Sequence, residues 1–406
     1  MRAYERLITY AKVHTASSED LSRTPTTDCQ FDLARLLADE MRRMGFQEVY
    51  EDEHAYVYGV LPASAGCEDK PSIAFNAHID TIPDFCGENV KPTLHPDYDG
   101  GDVVLGESGR VLTVEKFPRL PSLKGHTLIT TDGTTVLGAD DKAGVAEIMT
   151  ACERILSENL PHGRIAVCFS PDEEVGHGAA LMDLERVKAD FGYTVDGGEL
   201  NEINYETFNA AAAQWTVNGF NVHPGSAKDV MINANLVAME INSMLPTGDT
   251  PAQTQNYEGF FHLTDMSGTV EKASLSYIIR DHDAALFEGR KACMRHIEEL
   301  INQKYGPGTA VLSIREQYRN MAEKIEERME IVSLAERAIR EAGLSPVKVP
   351  IRGGTDGAQL SFRGLLCPNL GTGGYGFHGP YEHISAENMD KAVEILLNII
   401  RDSLDS

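Results

Sequence analysis

The chain has 406 residues, 42% of them hydrophobic, which is enough for two or three domains with sizeable cores. Its formal net charge of −26 argues against nucleic acid and anionic membrane as partners, because both reward basic patches. The seven cysteines are scattered with no C-x-x-C pair, which argues against a disulfide framework or a cysteine zinc site and for a reducing compartment.

In chain order, residues 2–13 and 31–45 carry helical periodicity; in the second, Leu33, Leu36, Leu37, Met41 and Met44 share a face. The N-terminal stretch is an amphipathic helix start with no visible signal peptide. No apolar run approaches the ~20 residues that span a bilayer. The expected location is the cytoplasm. Residues 55–61 and 72–76 read as strands, and the second ends directly in Ala77-His78-Ile79-Asp80. Residues 84–126 are rich in Gly, Pro, Asp and His with little periodicity. They read either as an ordered excursion that closes over something or as a passive surface insertion. Residues 127–130 and 135–137 read as short strands around an Asp132-Gly133 turn. Beyond them Val145, Ile148, Met149, Cys152, Ile155 and Leu156 recur at helical spacing, which places Asp140 in a strand-to-helix turn.

A buried strand at 164–170 runs into Pro171-Asp-Glu-Glu-Val-Gly176, and a shorter one at 193–195 into Asp196-Gly-Gly198. Strands alternating with helices predict an α/β fold, a mainly parallel sheet with helices on both faces. Near residue 208 the texture changes. Strands are expected at 211–217, 259–263, 268–273, 275–280 and 311–315, with helices at 228–243 and 286–304. This predicts an α+β domain at 208–319 inserted into a discontinuous first domain, 1–207 and 320–406. The first domain closes with a helix at 328–342, the glycine-rich stretches around Arg352 and His378, and a helix at 386–402.

The chemistry sits at the strand ends. Taken alone, Asp140 or Asp141 reads as a helix cap, Glu173-Glu174 as a solvated acidic loop, and Asp196 or His378 as turn chemistry. Together, His78, Asp80, Asp140, Glu173, Glu174, Asp196 and His378 supply carboxylate oxygens and imidazole nitrogens suited to zinc and its neighbours. Two His and three carboxylates could hold two ions, one carboxylate bridging, each ion keeping an open position. In the strand-end pair His78-x-Asp80, residues i and i+2 point the same way, so Asp80 can orient a metal-bound His78 ring. Of two adjacent glutamates, one can ligate while the other handles protons.

These segments resemble the co-catalytic zinc metallopeptidases, the family that includes aminoacylase and carboxypeptidase G. The matching stretches run nearly the whole chain. They are His78-Ile-Asp80, Ile129-Thr-Thr-Asp-Gly133, Leu137-Gly-Ala-Asp-Asp-Lys-Ala-Gly144, Pro161-His-Gly163, Pro171-Asp-Glu-Glu-Val-Gly176 and Tyr193-Thr-Val-Asp-Gly-Gly198. They continue with Asn221-Val-His-Pro-Gly225, Tyr277-Ile-Ile-Arg-Asp281, Ile351-Arg-Gly-Gly-Thr-Asp-Gly-Ala-Gln-Leu-Ser361 and His378-Gly379. The Asp-Gly and Arg-Gly-Gly-Thr-Asp-Gly stretches resemble the tripeptide-aminopeptidase branch.

The resemblance implies two zinc ions per subunit, with cobalt or manganese as substitutes. Asp140 would bridge them, His78 and Asp196 would complete one site, and Glu174 and His378 the other. Glu173 would be the general base on a water between the ions, and Asp80 would support His78. The peptide after Asp140 would be cis. The implied activity is release of the N-terminal residue from tripeptides; the alternative is a dipeptidase or N-acyl amino-acid deacylase on the same ions. His223 in the inserted domain is the candidate oxyanion donor. In this family the equivalent histidine reaches the active site of the other subunit, so the resemblance also implies a homodimer through that lid domain. Arg280 and Arg352 are candidates for the substrate carboxylate, since guanidinium reads carboxylate bidentately; a salt bridge with Asp281 or Asp356 is the competing account. His383 is a second imidazole near His378, which the His-Gly motif favours.

Overall fold

The computed structural model describes residues 1–106 and 108–405, which fall into two compact units. The first contains Met1–Tyr205, Glu323–Val349 and the chain from Thr355 onward; the second contains Glu206–Ala322 and Pro350–Gly354.

In the first unit four buried runs pair in parallel, in the spatial order Ile165–Ser170, Ile73–His78, Phe191–Gly197 and Asn369–Gly371. Antiparallel Val57–Leu61 and Gln47–Glu51 extend one edge, and Glu202–Asn204 with Val347–Lys348 the other. The eight-stranded sheet is therefore parallel at its centre and mixed at its margins. Its central strands are apolar on both faces because both are covered. Helix Ala139–Glu158 lies on Ile73–His78 and Phe191–Gly197, and helices Ala3–Ala11 and Ala386–Asp402 pack against it. The alternate residues Tyr56, Tyr58, Ala74, Ala166 and Cys168 pack instead with Met182, Val187 and Leu360. Residues 84–126 hold short strands and a small core of their own, with Tyr98, Leu105, Leu112, Leu120 and Leu123 buried together.

In the second unit an antiparallel sheet runs Phe260–Gly268, Lys272–Asp281, Asn209–Asn218, Ala310–Tyr318. Helices Ala234–Met244 and Ala284–Tyr305 cover one face, burying Trp215, Leu275, Ile279, Val237, Ile241 and Met294. Gln214 and Ser276, hydrogen-bonded at 2.9 Å, lie on the other.

Three local expectations are corrected. Residues 135–137 form no strand: the Val136 N–H goes to the Cys86 carbonyl and the Leu137 N–H to a side-chain carboxylate. Residues 268–273 are not one strand but a hairpin turn, closed by the Thr269 N–H on the Lys272 carbonyl at 2.7 Å. The helix expected from 228 begins at Ala234, because Ile232 is still paired with Phe220 and the Asn233 side chain caps by accepting the Asn235 N–H. Among the described residues no helix is long and apolar enough to cross a membrane.

Candidate metal centre

The parallel strands deliver the chemical groups at their carboxyl ends, where ligands bind in open α/β sheets. His78 is the last residue of Ile73–His78, Asp196 lies near the end of Phe191–Gly197, and Glu173 and Glu174 form a single helical turn after Ile165–Ser170. Asp140 lies at the start of helix Ala139–Glu158, in a kink where its own φ of −86° and ψ of 104° are not helical. Gly138 before it has φ +73°, a left-handed conformation that favours glycine. A Cβ on Gly144 would fall on the Val195 carbonyl, so its absence lets this helix approach the Asp196 strand. The Asp140–Asp141 peptide is cis, as the resemblance implies.

The five residues expected as ligands converge. Asp140 Oδ1 lies 3.1 Å from His78 Nε2, and Asp140 Oδ2 lies 3.1 Å from His378 Nε2. His78 Nε2 is 3.7 Å from Asp196, and His378 Nε2 is 3.1 Å from Glu174. One carboxylate thus shows an oxygen to each of two imidazoles, each with a further carboxylate beside it. Asp80 sits behind. Its Oδ1 is 3.2 Å from His78 Nδ1, and its two oxygens accept the Glu173 and Glu174 N–H groups at 3.0 and 3.2 Å. The Asp80 main-chain carbonyl also meets His78 Nδ1, at 3.1 Å, so this one residue sets both the His78 ring and the glutamate turn. Asp172 fixes the same turn from the other side, accepting from the Thr26 hydroxyl at 2.6 Å and from the Gln30 amide at 2.7 Å.

The charge balance favours cations. Burial pushes the Glu173 carboxyl well above its ordinary value, and Asp196 adds to the shift; Asp196 itself is raised by burial and by Asp141. Glu174 is raised by burial against a hydrogen bond from His378. Burial would raise Asp140 too, but its bonds with His378 and His78 outweigh that and hold it below the ordinary carboxylate range. His78 is raised despite burial, through Asp140 and Asp80, and hydrogen bonds to Asp140 and Glu174 push His378 up to about 10. Carboxylates outnumber imidazoles, and divalent cations would relieve that imbalance. The ligand atoms of His78, Asp140 and Glu174 lie within 4.8 Å of one another, so the donor set fits a metal.

Asp141 was not expected here. With His78 and Asp196 it forms a second grouping that could hold a cation, although its Oδ2 accepts the His78 N–H at 3.1 Å. Glu382 is the other addition. Fully buried, it accepts the Leu137, Gly138 and Asp140 N–H groups at 2.6, 2.8 and 2.9 Å. Its partners lie 242 to 245 residues away, beyond any local sequence signal. The alternative imidazole, His383, is enclosed elsewhere. Its Nδ1 bonds the Tyr381 carbonyl at 2.8 Å, its ring lies between Phe117 and Tyr375, and burial lowers its pKa to about 4.

His223, Arg280 and Arg352 belong to the second unit. His223 is exposed, and its Nδ1 accepts the Gly225 N–H at 3.1 Å, which puts the ring proton on Nε2 as an outward donor. Arg280 donates from Nη1 to the Ala211 and Ile279 carbonyls and stacks over Tyr318. The competing salt bridge to Asp281 is not made, because Arg290 takes that carboxylate at 2.7 Å. Arg352 spends Nη1 on the Asn256 and Glu258 carbonyls and Nη2 on Thr254.

Comparison with known proteins gives the family of the chain. The model of peptidase family M20/M25/M40 matches residues 134–402. A peptidase T from Clostridium perfringens is 51% identical over 401 residues, 98% of each chain. A peptidase T from Bacillus subtilis is 49% identical over 399 residues, 98% of this chain and 97% of that one. Aminopeptidase PepT from Bacillus cereus matches with a TM-score of 0.79 at 23% identity, covering 100% of this chain and 98% of that one. A Bacillus subtilis protein described as a dinuclear metal binding peptidase matches at 0.67 and 15% identity, covering 99% of each chain. At those identities the structural likeness is one of fold.

Proposed function

The chain belongs to peptidase family M20/M25/M40 and is a metallopeptidase, and from that premise we propose that it releases the N-terminal residue from tripeptides at a two-metal centre. The observation that carries this reading is Asp140, whose two oxygens face His78 and His378 at 3.1 Å each. His78, Asp140 and Asp196 would hold one ion, and Asp140, Glu174 and His378 the other. Imidazole and carboxylate suit zinc, with cobalt and manganese as substitutes. Near-full-length relatives named peptidase T support the substrate class, and the fold neighbour described as dinuclear supports two ions.

Such ions, when bound, supply Lewis acidity that activates water and polarises a carbonyl. The remaining steps belong to this chain. Glu173, adjacent to ligand Glu174 and anchored through Asp80, takes the proton of the attacking water and returns it to the leaving amine. Asp80 keeps the His78 ring in the orientation and tautomer that leave Nε2 free for metal. As the resemblance implies, His223 acts across the homodimer, its Nε2–H donating to the developing oxyanion in the other subunit's site. Arg280 receives the substrate carboxylate; among the described residues its hydrogen bonds run from Nη1 alone, which leaves it more donors than Arg352, a second candidate. The inserted domain expected at 208–319 serves as lid and homodimer contact. The expected site of action is the cytoplasm.

The test is product analysis on a free tripeptide, its N-acetylated form, and the matching dipeptide and tetrapeptide, before and after chelation. Cleavage confined to the free tripeptide and lost on chelation supports the proposal. Turnover of the acetylated form moves the function to a deacylase, and preferred turnover of the dipeptide to a dipeptidase.

A further inference from the structure

We propose that Glu382 is a positioning residue that sets Asp140 against His378, so that one carboxylate can serve two ions; the inference rests on the two-ion reading. The turn that carries Asp140 has no strand ladder of its own. Its Leu137, Gly138 and Asp140 N–H groups converge on one carboxylate, with Glu382 Oε2 taking the first two and Oε1 the third. A buried N–H without a partner costs about 1–3 kcal/mol, and here one side chain satisfies three of them. Glu382 follows His378 by four residues in a loop closed by the Glu382 N–H on the Gly379 carbonyl at 3.3 Å. It therefore ties the segment bearing one ligand of the second ion to the turn bearing the shared ligand. Nothing about it touches the reacting atoms; it acts through the position of Asp140.

Glu382→Gln keeps the shape but replaces one acceptor oxygen with an NH2 donor, which must face either the Asp140 N–H or the Leu137 and Gly138 pair. Metal titration with zinc, by calorimetry, is expected to show two ions per wild-type chain. In the variant, affinity for at least one of the two ions falls at least tenfold. The expected kinetic signature is a lower kcat at limiting zinc, restored by excess zinc, with KM nearly constant. In metal-free protein, hydrogen exchange at Leu137 and Gly138 should be slow in the wild type and faster in the variant, with both chains folded by circular dichroism.

Wild type binding fewer than two ions overturns the two-ion reading itself. Wild type binding two, with Glu382→Gln binding both at unchanged affinity or merely melting earlier, overturns the inference alone. If the variant does not fold, the wild-type exchange decides. Leu137 and Gly138 amides that exchange as fast as exposed loop positions contradict the role given to Glu382, and protected ones support it.

Discussion

His378 approaches Asp140 at 3.1 Å, Nε2 to Oδ2, while the other oxygen of the same carboxylate is taken up by His78. Both contacts favour a protonated imidazole and hold it more basic than usual, His378 up to about 10. A metal must displace those protons to bind. Apparent metal affinity should therefore fall as pH falls, and binding should release protons. Calorimetry in buffers of different ionisation enthalpy checks the sign; proton uptake on binding would contradict it.

Glu173 is assigned the proton transfer but no metal. Glu173→Gln should lower kcat roughly a hundred- to ten-thousand-fold while leaving metal content unchanged. Atomic absorption beside steady-state kinetics separates the two quantities. Loss of an ion in this variant would make Glu173 a ligand instead.

His383 gives the first unit a pH dependence that does not pass through the ligands. Burial holds its folded pKa at about 4, against 6.5 ordinarily, so between those values the unfolded chain binds the extra proton. Stability rises with pH across that window: this contribution, about 3 kcal/mol, is present in full above pH ~6.5 and lost progressively toward pH ~4. In urea titrations at pH 7 and 5, His383→Gln should show a smaller loss on acidification than wild type. Equal losses would contradict the assignment.

Trp215 is fully buried in the core of the second unit, among Leu275, Ile279 and Met294. Trp215→Ala should destabilise by about 3–5 kcal/mol, the range for large aromatic truncations in a core. The proposed ligands all lie in the first unit, so metal stoichiometry should be unchanged. Denaturant unfolding and metal content measure the two effects separately.

What the sequence could show was whatever is local. The strand ending in His78-Ile-Asp80 is a short buried run followed by a same-face pair, and Glu173-Glu174 follows another such run, so both could be read from period and spacing. The helix at 386–402 was legible in full, since its apolar stripe starts just after Ser385, which caps it by accepting the Asn388 N–H. The strand expected at 135–137 failed because a carboxylate far along the chain, not a ladder, satisfies Leu137. Arg280 lost the adjacent Asp281 to Arg290, nine residues beyond that aspartate, through the folding back of helix Ala284–Tyr305. The contacts of Asp141 with the His78 N–H and of Glu382 with the Leu137, Gly138 and Asp140 N–H groups were not legible, because main-chain partners far along the chain carry no side-chain signature.

The most direct test is anomalous diffraction from crystals of the zinc-loaded protein. Two peaks are expected with the Asp140 carboxylate between them, one beside His78 and Asp196 and the other beside Glu174 and His378. A single ion, or Asp141 in place of Asp140 as the ligand shared with His78 and Asp196, would contradict the bridging role on which the account rests.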